Sequence, residues 1–195
     1  HCILAVPQFV AARLLNDAER QEQVKQHIRY VPWMVANLLV NNLEERSGAQ
    51  PGWDNVLHGN ETLGYVDASH QLLQQHTPKR NLSCYLPLTE TDTVTERKKA
   101  QQVTFEAWAE RVFAQLEKVH PNIRTATEEI NIMLWGHAMA QPVPGWVHGA
   151  WRKQLAEPIN NRVFFAHTDV AGISIFEEAF YQGITAAQKI TGAPK

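Results

Sequence analysis

Two cysteines in 195 residues cannot build the disulfide framework on which small secreted domains depend. Cys2 and Cys84 each sit in an apolar, strand-like run, and both are expected as small buried hydrophobes. So little cysteine fits a reducing compartment, and a cytoplasmic location is the expectation. Neither sign of charge dominates: 18 Lys and Arg are interspersed with 20 Asp and Glu, for a net charge of −2. The basic face needed to neutralise nucleic-acid phosphates is absent, so a nucleic-acid partner is excluded. No apolar run approaches the ~20 residues of a membrane-spanning helix. The ten glycines never fall into the Gly-x-Gly-x-x-Gly spacing that seats a dinucleotide pyrophosphate. There is no Gly-x-Ser-x-Gly nucleophile elbow. His58, His70 and His76 lack the i, i+4 spacing of a helical metal pair, and no cysteine or carboxylate cluster completes a site, so no metal is expected.

What is present is a foldable chain. Hydrophobic residues make up 44%, enough for a core and too many for a disordered tail. His1 to Val6 reads as a strand, and Pro7 suits the first turn of a helix carried to Leu15 by Phe9, Val10 and Leu14. A sequence that opens inside a strand reads as part of a longer polypeptide, with a processed mature N-terminus as the alternative. Glu19 to Ile28 has helical spacing and Met34 to Leu43 suits a strand. Ser47 to Gly52 is a turn; Val56-Leu57 and Leu63 to Val66 flank the Gly59-Asn60 turn as a hairpin; Leu82 to Leu88 is a further strand. Thr93-Val-Thr-Glu96 has capping-box spacing, and Phe105, Trp108, Val112, Phe113, Leu116 and Val119 give the following helix one buried face up to His120-Pro121. Glu129 to Trp135 alternates as a strand does, and Gln141 to Gly145 is an extended loop. Arg162 to Ala166 is an apolar strand, Asp169 to Gly172 its exit, and Ser174-Ile-Phe-Glu177 a second capping box. A final helix from Ile175 to Ile190 is stopped by Gly192 and Pro194. The fold class is α+β, a mixed α/β layer.

The chemistry is concentrated in the last forty residues. A short strand, a polar His167-Thr168-Asp169 step and the small Ala171-Gly172 turn deliver a helix start. Free N–H groups and the positive dipole end there suit an anionic or polar ligand. Gly172 allows close backbone approach, and Asp169 can accept hydrogen bonds from hydroxyls. An ordinary well-capped strand–turn–helix is the plain alternative.

The run Val163-Phe-Phe-Ala-His-Thr-Asp-Val-Ala-Gly-Ile-Ser-Ile-Phe-Glu-Glu-Ala-Phe-Tyr-Gln-Gly-Ile-Thr-Ala-Ala187 resembles the C-terminal flavin-contacting motif of FAD-dependent amine oxidases. His1-Cys-Ile-Leu-Ala-Val-Pro-Gln8 is similar to the family's strand leaving the FAD domain, and Trp135-Gly-His-Ala-Met139 with Pro142-Val-Pro-Gly145 to a segment preceding the last flavin strand. His167-Thr168-Asp169 stands where a single acidic residue is usual, and Glu178 where glycine is common. The resemblance implies an FAD-domain strand and crossing helix at 1–15, a substrate-binding domain at 16–160, and an FAD-contacting strand and helix at 161–195. It implies FAD as cofactor, with Thr168 or Asp169 at the ribityl chain, Gly172 in the turn, and the backbone of Ile175, Phe176 and Glu177 toward the flavin ring. An upstream segment would hold the adenosine half, so this chain alone is expected to bind FAD weakly or not at all and to be inactive. The implied partners are that segment and a small-molecule substrate, with an amine as the candidate class. Tyr85, Trp135 and His137, at strand ends, are the candidate catalytic residues. A desaturase or isomerase of the same fold, and a non-catalytic α/β interaction domain, are the alternatives.

Overall fold

The computed structural model describes residues 1–44, 52–71 and 78–192. Most of the Ser47 to Gly52 turn, together with His76 and Pro194, lies outside them. The chain divides into two compact units: His1–Tyr30 with Met139–Lys195, and Val31–Ala138. The fold is mixed α/β, as expected.

The Val31–Ala138 unit is built on a five-stranded sheet of order β3-β4-β5-β2-β6. Its strands are β2 (Tyr30–Asn41), β3 (Asp54–Asn55), β4 (Tyr65–Asp67), β5 (Lys79–Pro87) and β6 (Thr127–Ala140). A hairpin is present about the expected turn, β3 pairing antiparallel with β4 in the register Asp54↔Val66, but its first strand is Asp54–Asn55 and Val56-Leu57 lie in the connection. β5 runs antiparallel to β2 from Trp33↔Pro87 to Asn41↔Lys79. Period-two alternation sorts their side chains. Met34, Ala36, Leu38 and Val40 of β2 are fully buried, and Leu82, Cys84 and Leu86 of β5 nearly so. They pack against Ala100, Trp108, Val112, Leu116, Ile123 and Ala126 in one core cluster. Burial pushes the Cys84 thiol up to about 12. The opposite face, with Trp33, Val35, Asn37, Ser83 and Tyr85, is only half-buried.

The expected single helix after Thr93 is two: α3 (Thr93–Gln102) and α4 (Phe105–Leu116). Thr104 caps α4, its side chain accepting from Ala107 N. α3 is almost wholly polar, whereas α4 carries the buried Trp108, Val112 and Leu116, so the chain restarts where an apolar face begins. Nor is Thr93 the cap of α3: Asp92 accepts from Val94 N and Thr95 N, and Glu96 instead receives the Thr91 hydroxyl. The one-turn α5 (Ile123–Ala126) leads into β6.

The other unit pairs β1 (Cys2–Leu4) parallel to β7 (Val163–Phe165), Cys2 opposite Val163. Pro7 precedes α1 (Gln8–Leu14) as its cap residue, and α2 (Ala18–His27) follows, capped by the Asp17 side chain. α6 (Ala150–Ala156), the single turn α7 (Thr168–Ala171) and α8 (Phe176–Thr191) complete it. Cys2 is exposed, against expectation, because β1 has a neighbour on one side only among the described residues. Gly192, at φ 68°, ends α8 in the left-handed region, as its position predicts. Ser174 does not cap α8; Ile175 occupies that position and offers no side-chain acceptor. No helix among the described residues is long and apolar enough to cross a membrane.

Candidate functional site

In the His1–Tyr30 and Met139–Lys195 unit, β7 sends successive side chains to opposite sides. Phe165 packs with Ala11 and Val170, while Phe164 and Ala166 pack with Ala186 of α8. The strand exits through His167, whose Nδ1 accepts from Asp169 N at 3.2 Å. The Asp169 to Gly172 connection is therefore helical at its start. Gly172 follows at φ 89°, and a Cβ there would stand 3.2 Å from Arg152 Cδ. Two side chains hold the exit carbonyls: Arg152 Nη1 donates to Val170 O, and Trp146 Nε1 donates to Gly172 O.

The turn delivers α8 with its N-terminus bare of any side-chain cap. The first backbone N–H groups of a helix have no partner within it, and they concentrate its positive dipole end. Apolar side chains surround this end: Ile175 is 48% exposed, Phe176 78% and Phe180 61%. The Phe176 and Phe180 rings stack at 6.1 Å between centroids. The helix start is thus a bare donor edge beside exposed apolar side chains.

Of the predicted cofactor residues, Thr168, Gly172, Ile175, Phe176 and Glu177 fall on this one turn and helix start. Thr168 is half-buried and Glu177 exposed. Asp169 is different. It is 2% exposed, and its Oδ2 accepts from Gln8 N at 2.8 Å and from the Tyr30 hydroxyl. Burial, then the Asp169 charge, raises the Tyr30 phenol far above its usual range, so it stays a donor. Gln8 and Tyr30 were not legible as site residues, because Asp169 lies 161 and 139 positions away from them along the chain.

In the Val31–Ala138 unit, Tyr85, Trp135 and His137 occupy the open face of the sheet. Tyr85 lies opposite Val35 on that side. On β6, Ile130 and Ile132 pack on the core and Gly136 O accepts from Arg97 Nη1 of α3 at 3.2 Å. Alternation therefore turns Trp135 and His137 the other way. β2 separates β5 from β6, so Tyr85 and the other two are not strand neighbours. Burial first, then Asp54 and Cys84, raises the Tyr85 phenol, which keeps it a proton donor at neutral pH. The Ser83 hydroxyl donates to Asn37 Oδ1 at 2.6 Å on the same face. One side of this sheet thus offers aromatic, apolar and hydrogen-bonding groups together. Among the described residues no group of His, Cys, Asp and Glu could hold a metal ion.

The chain thus combines a half-covered antiparallel sheet with a parallel strand pair that feeds a glycine-led helix. Residues 1–191 match the flavin-containing amine oxidoreductases, and the chain belongs to that family. Cyclohexylamine oxidase from Brevibacterium oxydans IH-35A shares the fold over 98% of this chain, with TM-score 0.68 and 13% identity. A protein from Exiguobacterium sp. 255-15 assigned as a protoporphyrinogen oxidase does so over 98%, with TM-score 0.62 and 11% identity. The chain spans 42% and 41% of their respective lengths. A search of the curated proteins returns no match.

Proposed function

We propose that the chain supplies the substrate-binding sheet and the closing strand–turn–helix of the flavin site in a longer FAD-dependent oxidoreductase acting on a small molecule, with an amine as the leading class. The observation that carries this reading is the uncapped start of α8, framed by exposed Ile175, Phe176 and Phe180 behind the left-handed Gly172. The backbone of Ile175 to Glu177 faces the ring edge and favours negative charge there, which tunes the cofactor as well as holding it. Thr168 takes the ribityl contact, since both donors to Asp169 Oδ2 come from the protein itself. FAD, when bound, supplies the two-electron acceptor.

The open face of the sheet orients the substrate. Tyr85 offers a hydroxyl donor, while Trp135 and His137 give it an aromatic and polar wall. Oxidation of a neutral amine asks chiefly for orientation, so the absence of a strong dedicated base from the predicted set is compatible with it. The adenosine half of the cofactor needs a glycine loop that this sequence lacks, and a segment outside the chain provides it. Alone, the chain retains FAD weakly or not at all. The uncovered apolar row of α8 and the two-fifths coverage of the solved structures support that division.

The test is the visible spectrum of the enzyme that contains this chain, followed by oxygen consumption and peroxide release over an amine panel. A yellow protein that releases peroxide with an amine is expected. A yellow protein that only desaturates or isomerises its substrate would move it to another reaction of the same fold. A colourless protein would end the flavin reading.

A further inference from the structure

Asp169 sits at the centre of a buried polar network. Its Oδ2 accepts from Gln8 N, 161 positions away in sequence, and from the Tyr30 hydroxyl, 139 away. Its Oδ1 lies 3.3 Å from His167 Nδ1. The network continues outward. Gln8 Oε1 accepts from Arg20 Nη1 at 2.6 Å, and the same nitrogen donates to Leu155 O at 3.0 Å. The Arg20 guanidinium lies 4.0 Å over the ring of Phe165, the β7 residue that packs with Val170 of α7. Gln8 is fully buried and Arg20 nearly so.

A buried carboxylate is costly unless donors satisfy it, and an apolar side chain of similar size often serves stability as well or better. What this carboxylate adds is geometric definition. Two positions of the first thirty residues, Gln8 and Tyr30, grip a single helical turn near the other end of the sequence, and Arg20 braces Gln8 from behind. Arg152 and Trp146 hold the carbonyls of Val170 and Gly172 in that turn. Only Gly172 and the three residues to Ile175 separate the turn from the bare start of α8.

We propose that Asp169 is a positioning residue: through Gln8 and Tyr30 it fixes the α7 turn, and with it the donor edge of α8, and it does not itself contact the cofactor. This inference rests on the flavin reading of α8.

The experiment uses the FAD-loaded enzyme containing this chain, and its apoprotein, as wild type, Tyr30→Phe, Asp169→Asn and the double variant. FAD dissociation constant, flavin reduction potential and apoprotein melting temperature are measured for each. Tyr30→Phe removes one hydroxyl that has no cofactor contact in this account. It is expected to raise the FAD dissociation constant roughly tenfold, as the loss of one hydrogen bond to a charged group would, and to make the potential more negative. Asp169→Asn should act in the same direction, and the double variant should be no worse than Asp169→Asn alone. The proposal is overturned if Asp169→Asn weakens FAD binding while Tyr30→Phe leaves affinity and potential unchanged, because Asp169 is then a direct ligand. It is also overturned if Tyr30→Phe lowers only the apoprotein melting temperature. A wild-type enzyme without flavin sinks the underlying reading and the positioning role with it, and the wild-type spectrum alone identifies that case. Should Asp169→Asn fail to fold, Tyr30→Phe carries the test.

Discussion

The two units hold themselves together in different ways. In Val31–Ala138 the buried residues of β2 and β5 join those of α3, α4 and α5 in one continuous apolar cluster. In the unit of His1–Tyr30 and Met139–Lys195 the apolar contacts fall into three smaller clusters, and a charged network lies among them. α8, 16 residues long, buries only Ala186. Apolar burial is strong and non-directional, so the first unit gains stability from it and leaves one sheet face free. Hydrogen bonds to a carboxylate are directional, so the second unit gains placement from them, at the turn where placement matters to a cofactor. α8 keeps an exposed apolar row, and β1 pairs on one side only among the described residues.

The contrast can be broken most easily in the apolar unit. Trp108→Ala removes a nearly buried indole from the single core and should cost about 3–5 kcal/mol, read from the denaturant midpoint. A loss below about 1 kcal/mol would mean that the cluster is not one cooperative core. Next in size is Asp169→Ala, which strands the Tyr30 hydroxyl and the Gln8 N–H and should cost about 2–4 kcal/mol. A melting temperature equal to wild type would show that the network is idle.

The same network predicts an alkaline weakness. Tyr30 has its phenol raised in the folded chain above the ordinary 10.0. A raised acid binds its proton more tightly when folded, so its stabilisation is complete below pH 10 and is lost as pH rises above it. One such group contributes up to about 1.4 kcal/mol per pH unit. Cys84, raised from 9.0 to about 12, adds a loss of the same sign from above pH 9. Urea unfolding between pH 9 and 11 should therefore show a shallower decline in Tyr30→Phe than in wild type, and identical slopes would contradict it. Smallest of all, Phe176→Ser at an exposed position should change stability by no more than about 0.5 kcal/mol while reducing FAD retention in the full enzyme. A large stability loss would place that ring in a core instead.

Much of this was legible in the residues. Apolar composition marked β2 and β5, period-two alternation marked β6, the Gly59-Asn60 turn marked the hairpin, and the spacing of Trp108, Val112 and Leu116 marked α4. The restart at Thr104 was missed because no glycine or proline stands between α3 and α4, and threonine both continues and caps helices. Thr93 was read as the cap because Glu96 stands three residues on in capping-box spacing, whereas Asp92, the actual cap, has Thr95 there. Cys2 was expected in a core because its apolar run reads the same whether or not a second strand covers it. The α8 edge was visible as a turn and helix start, but its meaning came from resemblance to a family motif. The partners of Asp169 were beyond reach, because contacts across 161 and 139 positions leave no local signature.

Amide hydrogen exchange of the enzyme with and without FAD tests the central claim most directly. Slowing by more than about tenfold at the α7 turn and at Phe176 to Ala179 is the predicted result, since local opening there would require release of the cofactor. Protection confined to other segments, with those amides exchanging at the apoprotein rate, would contradict it.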